Sequence, residues 1–281
     1  GIEGGMLSAT AEAWSYMHNG LEMDYDQIGD VFAKWNSEGE LRNNYLVHIG
    51  ADVCHIKRTP QGDYKGEGAS RDDGWVLDDV LDKVVQDDDG TEGTPFWCIM
   101  ESAARHVSCP TLAAGHYLRV ASGNRAERVR VAKKMQMPVP KPMENVKDKT
   151  ALIEKLRRAV YCSFLASFCQ GMELIACTSK EEGWNIDLGR CIQIWRGGCI
   201  IQSEYIADLI QPTLSSNQCL TNMKSIDGVA RELHNNFEPL KEIVVQGILT
   251  DQYMPALTSS LEYLKYTGGT ALPTKFMEAQ M

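Results

Sequence analysis

Apolar positions recur along this chain with the spacing of helices. Ile2, Met6, Ala9, Ala13 and Met17 follow the i, i+3, i+4 rhythm of one helical face. The Asn19-Gly20 pair that follows predicts a C-terminal cap. "DYDQIGDVFAKW" predicts a second helix, with Asp24 at the N-cap, Gln27 at the capping-box position, and Ile28, Val31, Phe32 and Trp35 on one face. Further helices are predicted in "ELRNNYLVHIGADVCHI", "WVLDDVLDKVV", "PFWCIMESAARH", "PTLAAGHYLRVA" and "NRAERVRVAKKM". The prolines of "MPVPKPMENVKDK" then break the pattern and predict a boundary near 136–148. After it, "TALIEKLRRAVYCSFLASFCQGMELIACTS" predicts a central helix of about 30 residues, roughly 45 Å long. No convincing period-2 pattern occurs, so the predicted fold class is all-α.

The two sides of the boundary resemble each other. "GLEMDYDQIGDVFAKW" pairs with "GWNIDLGRCIQIWRGG": Gly20 with Gly183, Asp24 with Asp187, Val31 with Ile194, Phe32 with Trp195. "RNNYL" and "QSEYI" follow in the same order. This predicts a large helical domain over 1–281 made of two duplicated repeats, about 1–136 and 148–281, with a Pro-rich link at 137–147. The polar, Gly-rich text from Lys57 to Gly74 reads as a surface insertion.

Composition narrows the chemistry. The chain has 281 residues, 43% hydrophobic, enough for a sizeable core, and no apolar stretch that reads as a membrane span. A net charge of -10 argues against a nucleic-acid partner. The run Asp87-Asp88-Asp89 reads as a solvated turn. Nine cysteines without a CxxC pair read as reduced, buried thiols of a cytoplasmic protein, and the scattered histidines offer no zinc spacing.

Several stretches together resemble the C-terminal domain of the 6-phosphogluconate dehydrogenases. "IWRGGCIIQS", Ile194 to Ser203, is similar to that family's IWRxGCIIRS signature, with Gln202 in place of the second Arg. "FMEAQM" resembles its closing helix, and "GIE" at the start resembles the end of its HNGIE segment. The resemblance implies an N-terminal Rossmann domain, absent from this chain, that would hold most of the NADP. It also implies a catalytic Lys and a His-Asn pair just before Gly1. "MHNGLE", Met17 to Glu22, imitates the HNG motif one helix too late, so His18 and Asn19 are not expected to be catalytic. "GEGASR" is no dinucleotide fingerprint, because Arg71 stands where the third glycine belongs and no strand precedes it.

The implied reaction is NADP-linked oxidation and decarboxylation of 6-phosphogluconate in the pentose phosphate pathway, in a cytoplasmic homodimer. Glu3 matches the carboxyl that protonates the enediol carbon. The family holds the substrate phosphate with a Lys and a Thr in a QKGTGKW loop, an Arg on the next helix, a Tyr after the catalytic Glu, and Arg and His groups of the partner's tail. Here the loop is "TEGTPFW". Thr94 matches and Arg119 matches the helix Arg, but Glu92 stands at the Lys position and Pro95 replaces a Gly. Gly4 replaces the Tyr, and Met281 stands near the tail Arg. These departures keep two alternatives open: a related 3-hydroxyacid dehydrogenase with another substrate, and a repurposed helical dimer without dehydrogenase activity. The 281 residues alone are expected to be inactive and to bind no nucleotide.

Overall fold

The computed structural model describes residues 1–58, 74–84, 93–217 and 220–281. Among these residues the regular structure is helical, with no strand and only the isolated bridges Asn44–Ser203 and Lys57–Trp75. The α-helices are α1 (Ile2–Ser15), α2 (Tyr25–Ser37), α3 (Tyr45–His55), α4 (Thr94–Ala104), α5 (Pro110–Ser122), α6 (Arg125–Met135), α7 (Lys149–Glu181), α8 (Leu188–Arg196), α9 (Glu204–Ser216), α10 (Asp227–Leu249), α11 (Pro255–Thr267) and α12 (Thr274–Gln280).

The predicted central helix is α7, capped by Asp148, whose carboxylate accepts from Ala151 N at 2.9 Å. Every residue from Ala159 to Met172 is buried. A helix covered on all its faces must be wrapped by others, and α10, α1, α11 and α5 pack around it. Its length and hydropathy would also suit a membrane span, yet 83% of that apolar window is buried by the rest of the chain, as in a core helix. Its interior polar groups are matched. Gln170 accepts from Thr111 N at 3.0 Å and donates to Thr111 Oγ1 at 2.8 Å, and the hydroxyls of Ser163 and Ser260 lie 2.8 Å apart. One core cluster takes residues from Ile2 through Leu261, drawing on the chain before and after the Pro-rich link.

Both predicted caps are present. Asp24 makes the full capping box with Gln27, and Asp187 accepts from Arg190 N at 3.0 Å. The segments that follow α2 and α8 then meet. Asn44 Nδ2 donates to Ser203 Oγ at 2.5 Å in a buried contact, Tyr45 N donates to Gln202 O at 3.1 Å, and Asn43 Nδ2 donates to Glu204. The Pro-rich link holds both sides too: Met143 N reaches Gly20 O at 2.8 Å, and Lys141 N reaches Thr250 O at 2.9 Å.

Three predicted elements differ. The helix expected to end at Asn19-Gly20 instead widens into a π turn, Tyr16–Gly20, and the left-handed residue is Glu22 at φ +52°. Gly20 answers packing instead, since a Cβ there would stand 2.8 Å from Met143 Cε. In "ELRNNYLVHIGADVCHI" the helix begins only at Tyr45, because Asn43 is left-handed at φ +46° and the Asn44 side chain caps Val47 N at 3.1 Å. "WVLDDVLDKVV" yields only a 3-10 turn, Val76–Asp79. Its acids bond elsewhere: Asp78 accepts from Trp75 N, and Asp82 binds Arg125 and Arg128. The insertion expected from Lys57 to Gly74 and the acidic run at 87–89 lie mostly or wholly outside the described residues. The described ends of the insertion are pinched together, with Arg58 N on Gly74 O at 2.9 Å and the Lys57 ammonium 3.6 Å above the Trp75 ring.

Glu12 joins α1 to α11. Its buried carboxylate accepts from Ala256 N at 2.7 Å and Leu257 N at 2.9 Å, and Ser8 donates to it at 2.7 Å. It thus caps the start of α11 from another helix. Burial pushes its pKa up to about 7, against the pull of those three hydrogen bonds. A carboxyl whose folded pKa is raised binds a proton in the fold that the unfolded chain has lost, so its contribution falls as pH rises from about 4.5 to about 7. Urea unfolding should therefore show stability declining across that window by on the order of 3 kcal/mol. Glu12→Gln should flatten the slope. It should also cost roughly 1–3 kcal/mol, because its amide sets one donor against a backbone N–H. An unchanged slope in the variant would remove Glu12 as its source.

Candidate functional site

The first turn of α1 is packed against three other helices. A Cβ at Gly171 of α7 would stand 2.2 Å from Ile2 Cγ1, one at Gly5 would stand 2.4 Å from Ser167 Oγ, and one at Gly1 would stand 2.1 Å from Cys98 Sγ of α4. On the remaining side α5 crosses it, with Gly115 against the Gly4 carbonyl. Glycine inside a helix costs about 1 kcal/mol relative to Ala. Here it lets main chains approach to a distance that side chains would forbid.

Glu3 emerges from this turn half-buried, and no described residue hydrogen-bonds or ion-pairs with it. It borders a cavity of about 340 Å³ whose wall includes Ile2, Cys98 and Ile175 together with Trp195, Cys199, Ile200 and Ile201. The structure thus brings the predicted Glu3 beside the signature segment, across nearly 200 residues of chain. The signature's own chemistry explains its shape. α8 ends at Arg196, which pairs with Asp208 at 2.7 Å, and Gly198 turns the chain at φ +120°, a conformation that favours glycine. Trp195 packs edge-on against Phe168 of α7, and Ser203 anchors the far end on Asn44.

Among the described residues, none of the other predicted ones lines this cavity. Thr94 is exposed as the first residue of α4, four residues before Cys98, with Pro95 at the second position. Arg119 is half-buried on α5, one turn past Gly115 and on the same face. Gly4 is buried, and a Cβ there would meet nothing nearer than Leu112 O at 3.9 Å. Glu92 lies outside the described residues, and Met281 is exposed at the end of the chain. The sequence reading missed Gly115 and Cys98. Glycines at 4, 5 and 115 inside helical text were the available signal.

His18 and Asn19 are held elsewhere. The His18 ring stacks on Trp14 with centroids 5.1 Å apart and lies 4.9 Å from the Tyr25 ring, its Nδ1 is 3.0 Å from Met23 O, and Asn19 donates to Ser15 Oγ.

The cysteines need a partial correction. The eight described ones are free thiols, but Cys98, Cys177, Cys191 and Cys199 are only half-buried, and Cys219 lies outside the described residues. Burial holds Cys109, Cys162 and Cys169 up at about 12, which keeps them protonated and poor nucleophiles. No cluster of three or more His, Cys, Asp or Glu suited to a metal occurs among the described residues.

The whole chain, residues 1–281, matches the family model described as 6-phosphogluconate dehydrogenase, C-terminal domain. It is 62% identical over 281 residues to a decarboxylating 6-phosphogluconate dehydrogenase of Emericella nidulans, covering 100% of this chain and 56% of that protein. The corresponding enzyme 1 of Spinacia oleracea is 32% identical over 282 residues, covering 100% and 54%. A solved structure of Plasmodium falciparum 6-phosphogluconate dehydrogenase, described in apo form and in complexes with its cofactor NADP+ and its substrate 6-phosphogluconate, superposes with a TM-score of 0.85 at 27% identity. It is covered over 56% of its length by 99% of this chain. The chain spans about half the length of the curated relatives it matches. With an all-helical fold, a signature segment closing on the first turn of α1, and a family match over every residue, this chain belongs to the 6-phosphogluconate dehydrogenase C-terminal domain family.

Proposed function

We propose that this chain is the substrate-binding and dimerisation domain of an NADP-dependent, decarboxylating 6-phosphogluconate dehydrogenase of the cytoplasm and the pentose phosphate pathway. The observation that carries the reading is the cavity in which Glu3 meets Trp195 and Cys199 to Ile201. The sequence holds no Gly-rich strand-turn-helix. Cradling the dinucleotide falls to a further domain of the whole protein, and the cofactor would supply hydride acceptance from the substrate.

In this reading Glu3 gives a proton to the carbon left electron-rich by loss of carbon dioxide. A proton donor must reach both its substrate and a proton source. A half-buried carboxyl with no fixed partner among the described residues, at the edge of a largely apolar cavity, meets both needs. Thr94 donates its hydroxyl to a phosphate oxygen at the start of α4, and Arg119 presents its planar fork to the same group. Glu92 at the Lys position and Gly4 at the Tyr position favour a second reading, a 3-hydroxyacid dehydrogenase whose substrate lacks the phosphate.

Two further parts of the reading rest on contacts described above. The halves 1–136 and 148–281 are related copies: exchanging the paired segments 43–44 and 203–204 turns the Asn44–Ser203 contact into the Glu204–Asn43 contact, as a two-fold relation requires. The protein works as a homodimer. Of the tryptophans that invite a cover, Trp35 is internal and Trp195 is half-buried, but Trp97 is 63% exposed beside Phe96 and Met100 on α4. Val245, Ile248 and Leu249 form a second open apolar stripe on α10.

In the complete protein, Glu3→Gln should lower kcat for 6-phosphogluconate by roughly 10²–10⁴-fold with little change in KM. Retained turnover would remove Glu3 from the chemistry. Glu92→Lys should lower KM for 6-phosphogluconate by on the order of tenfold at low salt, and less as salt rises, because it converts a repulsion into an attraction. A raised KM would show that Glu92 does not face the phosphate, and tighter use of an unphosphorylated 3-hydroxy acid by the parent would favour the second reading. Sedimentation of the 281 residues at micromolar concentration should give about twice 31.3 kDa, whereas a clean monomer would count against the dimer.

A further inference from the structure

We propose that Gly115 is a positioning residue that sets where Arg119 meets the substrate phosphate, an inference that rests on the role given to Arg119 above. α1 and α5 cross main chain to main chain. A Cβ at Gly115 would stand 2.2 Å from Gly4 O, 2.7 Å from Gly4 C and 3.2 Å from Gly5 N. All three are backbone atoms, so no rotamer change could relieve the overlap.

α1 has no room to retreat. Its first turn is seated against α7, where Ile2 fills the space over Gly171 and Gly5 lies against Ser167. The strain of a methyl group at 115 must therefore move α5. The start of α5 is pinned, however: Thr111 N and Leu112 N both donate to the buried Gln170 Oε1, at 3.0 and 3.4 Å, and Thr111 Oγ1 lies 3.0 Å from Ser260 Oγ. A helix fixed at one end and pushed beyond it tilts, and the displacement grows toward its far end. Arg119 lies there, four residues past the point of contact.

Direction matters as well as distance. Long helical side chains lean back over the turn that precedes them, and for Arg119 that turn holds Gly115. That glycine meets the carbonyl of Gly4, the residue next to Glu3. The two glycines differ in what they permit: Gly4 has space for a Cβ and Gly115 has none. Gly115 thus acts through Arg119 on the phosphate end of the substrate and leaves the reacting carbon near Glu3 undisturbed.

The test uses the complete protein and four kinetic readouts. Gly115→Ala should raise KM for 6-phosphogluconate on the order of tenfold, as expected for a displacement of about 1 Å. Its kcat, its KM for NADP and its kcat/KM for unphosphorylated gluconate should stay within about twofold of the parent. The Gly115→Ala/Arg119→Ala double variant should be no worse than Arg119→Ala alone, because the first change acts through the second residue. A folded Gly115→Ala protein with the parent's KM, an equal loss on gluconate, or additive losses would each overturn the inference while leaving Arg119 in place. An Arg119→Ala protein with unchanged KM would overturn the role of Arg119 itself, and this inference with it. Should Gly115→Ala fail to fold, Leu112→Ala loosens the same crossing, since Leu112 packs toward Gly1 and Gly5. The same phosphate-selective rise in KM is expected of it, and its absence overturns the inference.

Discussion

The burial of α7 is the constraint that the rest of this molecule satisfies. From Ala159 to Met172 no face of the helix meets solvent, so a single layer of neighbours could not cover it. Helices from before and after the Pro-rich link are both required: α1 and α5 on one side of the sequence, α10 and α11 on the other. Apolar contact alone would let these helices slide, since the hydrophobic effect is non-directional. The register comes from the few polar groups buried with them. Gln170, Thr111, Ser163 and Ser260 form a connected set in which each group has a partner, and a fully paired set of this kind tolerates little displacement. Glu12 does the same for α1 against α11, at the cost of burying a carboxyl.

That arrangement explains the shape of the candidate site at the first turn of α1. Where α1 starts it is wedged between Gly171 of α7, Cys98 of α4 and Gly115 of α5. Gly5, Gly115 and Gly171 lower helix propensity, and the close approach they allow offsets the loss. A side chain projecting from this turn is held by the seating of the turn on α7 and α4, where Ile2 fills the space over Gly171 and Gly1 lies against Cys98. Glu3 is such a side chain, and this makes it better placed for chemistry than its ordinary helical surroundings in the sequence would suggest.

Much of the helical frame was legible because its signals are local. Capping at Asp24 and Asp187 depends on residues three apart, and the length of α7 depends on a run of apolar text without proline. The failures have a common cause. At Asn43–Asn44 and at Asp78–Asp82 short polar side chains bond to backbone or to distant arginines, and these alternatives outcompete helix without altering the apolar period. The π turn at Tyr16–Gly20 was invisible for another reason, since it depends on Met143 and Met23 packing over the turn. At the candidate site, motif resemblance singled out Glu3 and the Ile194–Ser203 signature, which border one cavity, and Thr94 and Arg119, which do not line it. It could not find Gly115, whose importance lies in an atom it lacks and a carbonyl more than one hundred residues away.

The contact between the two sides of the molecule carries this argument one step further. The cavity beside Glu3 takes its carboxyl from the first helix and part of its apolar wall from Trp195 of α8 and the segment that follows, Cys199 to Ile201. That segment is fixed at its far end by Ser203 on Asn44, the N-cap of α3, and by Gln202 on Tyr45, its first residue. Neither side could therefore shape the cavity alone: without Asn44 the signature loses its anchor, and without α7 the first turn of α1 loses the surface that seats Ile2. Association of two halves through a buried, hydrogen-bonded contact thus does more than complete a core. It fixes the distance between the Glu3 carboxyl and the wall opposite it, the dimension that any pocket must hold constant to position a ligand.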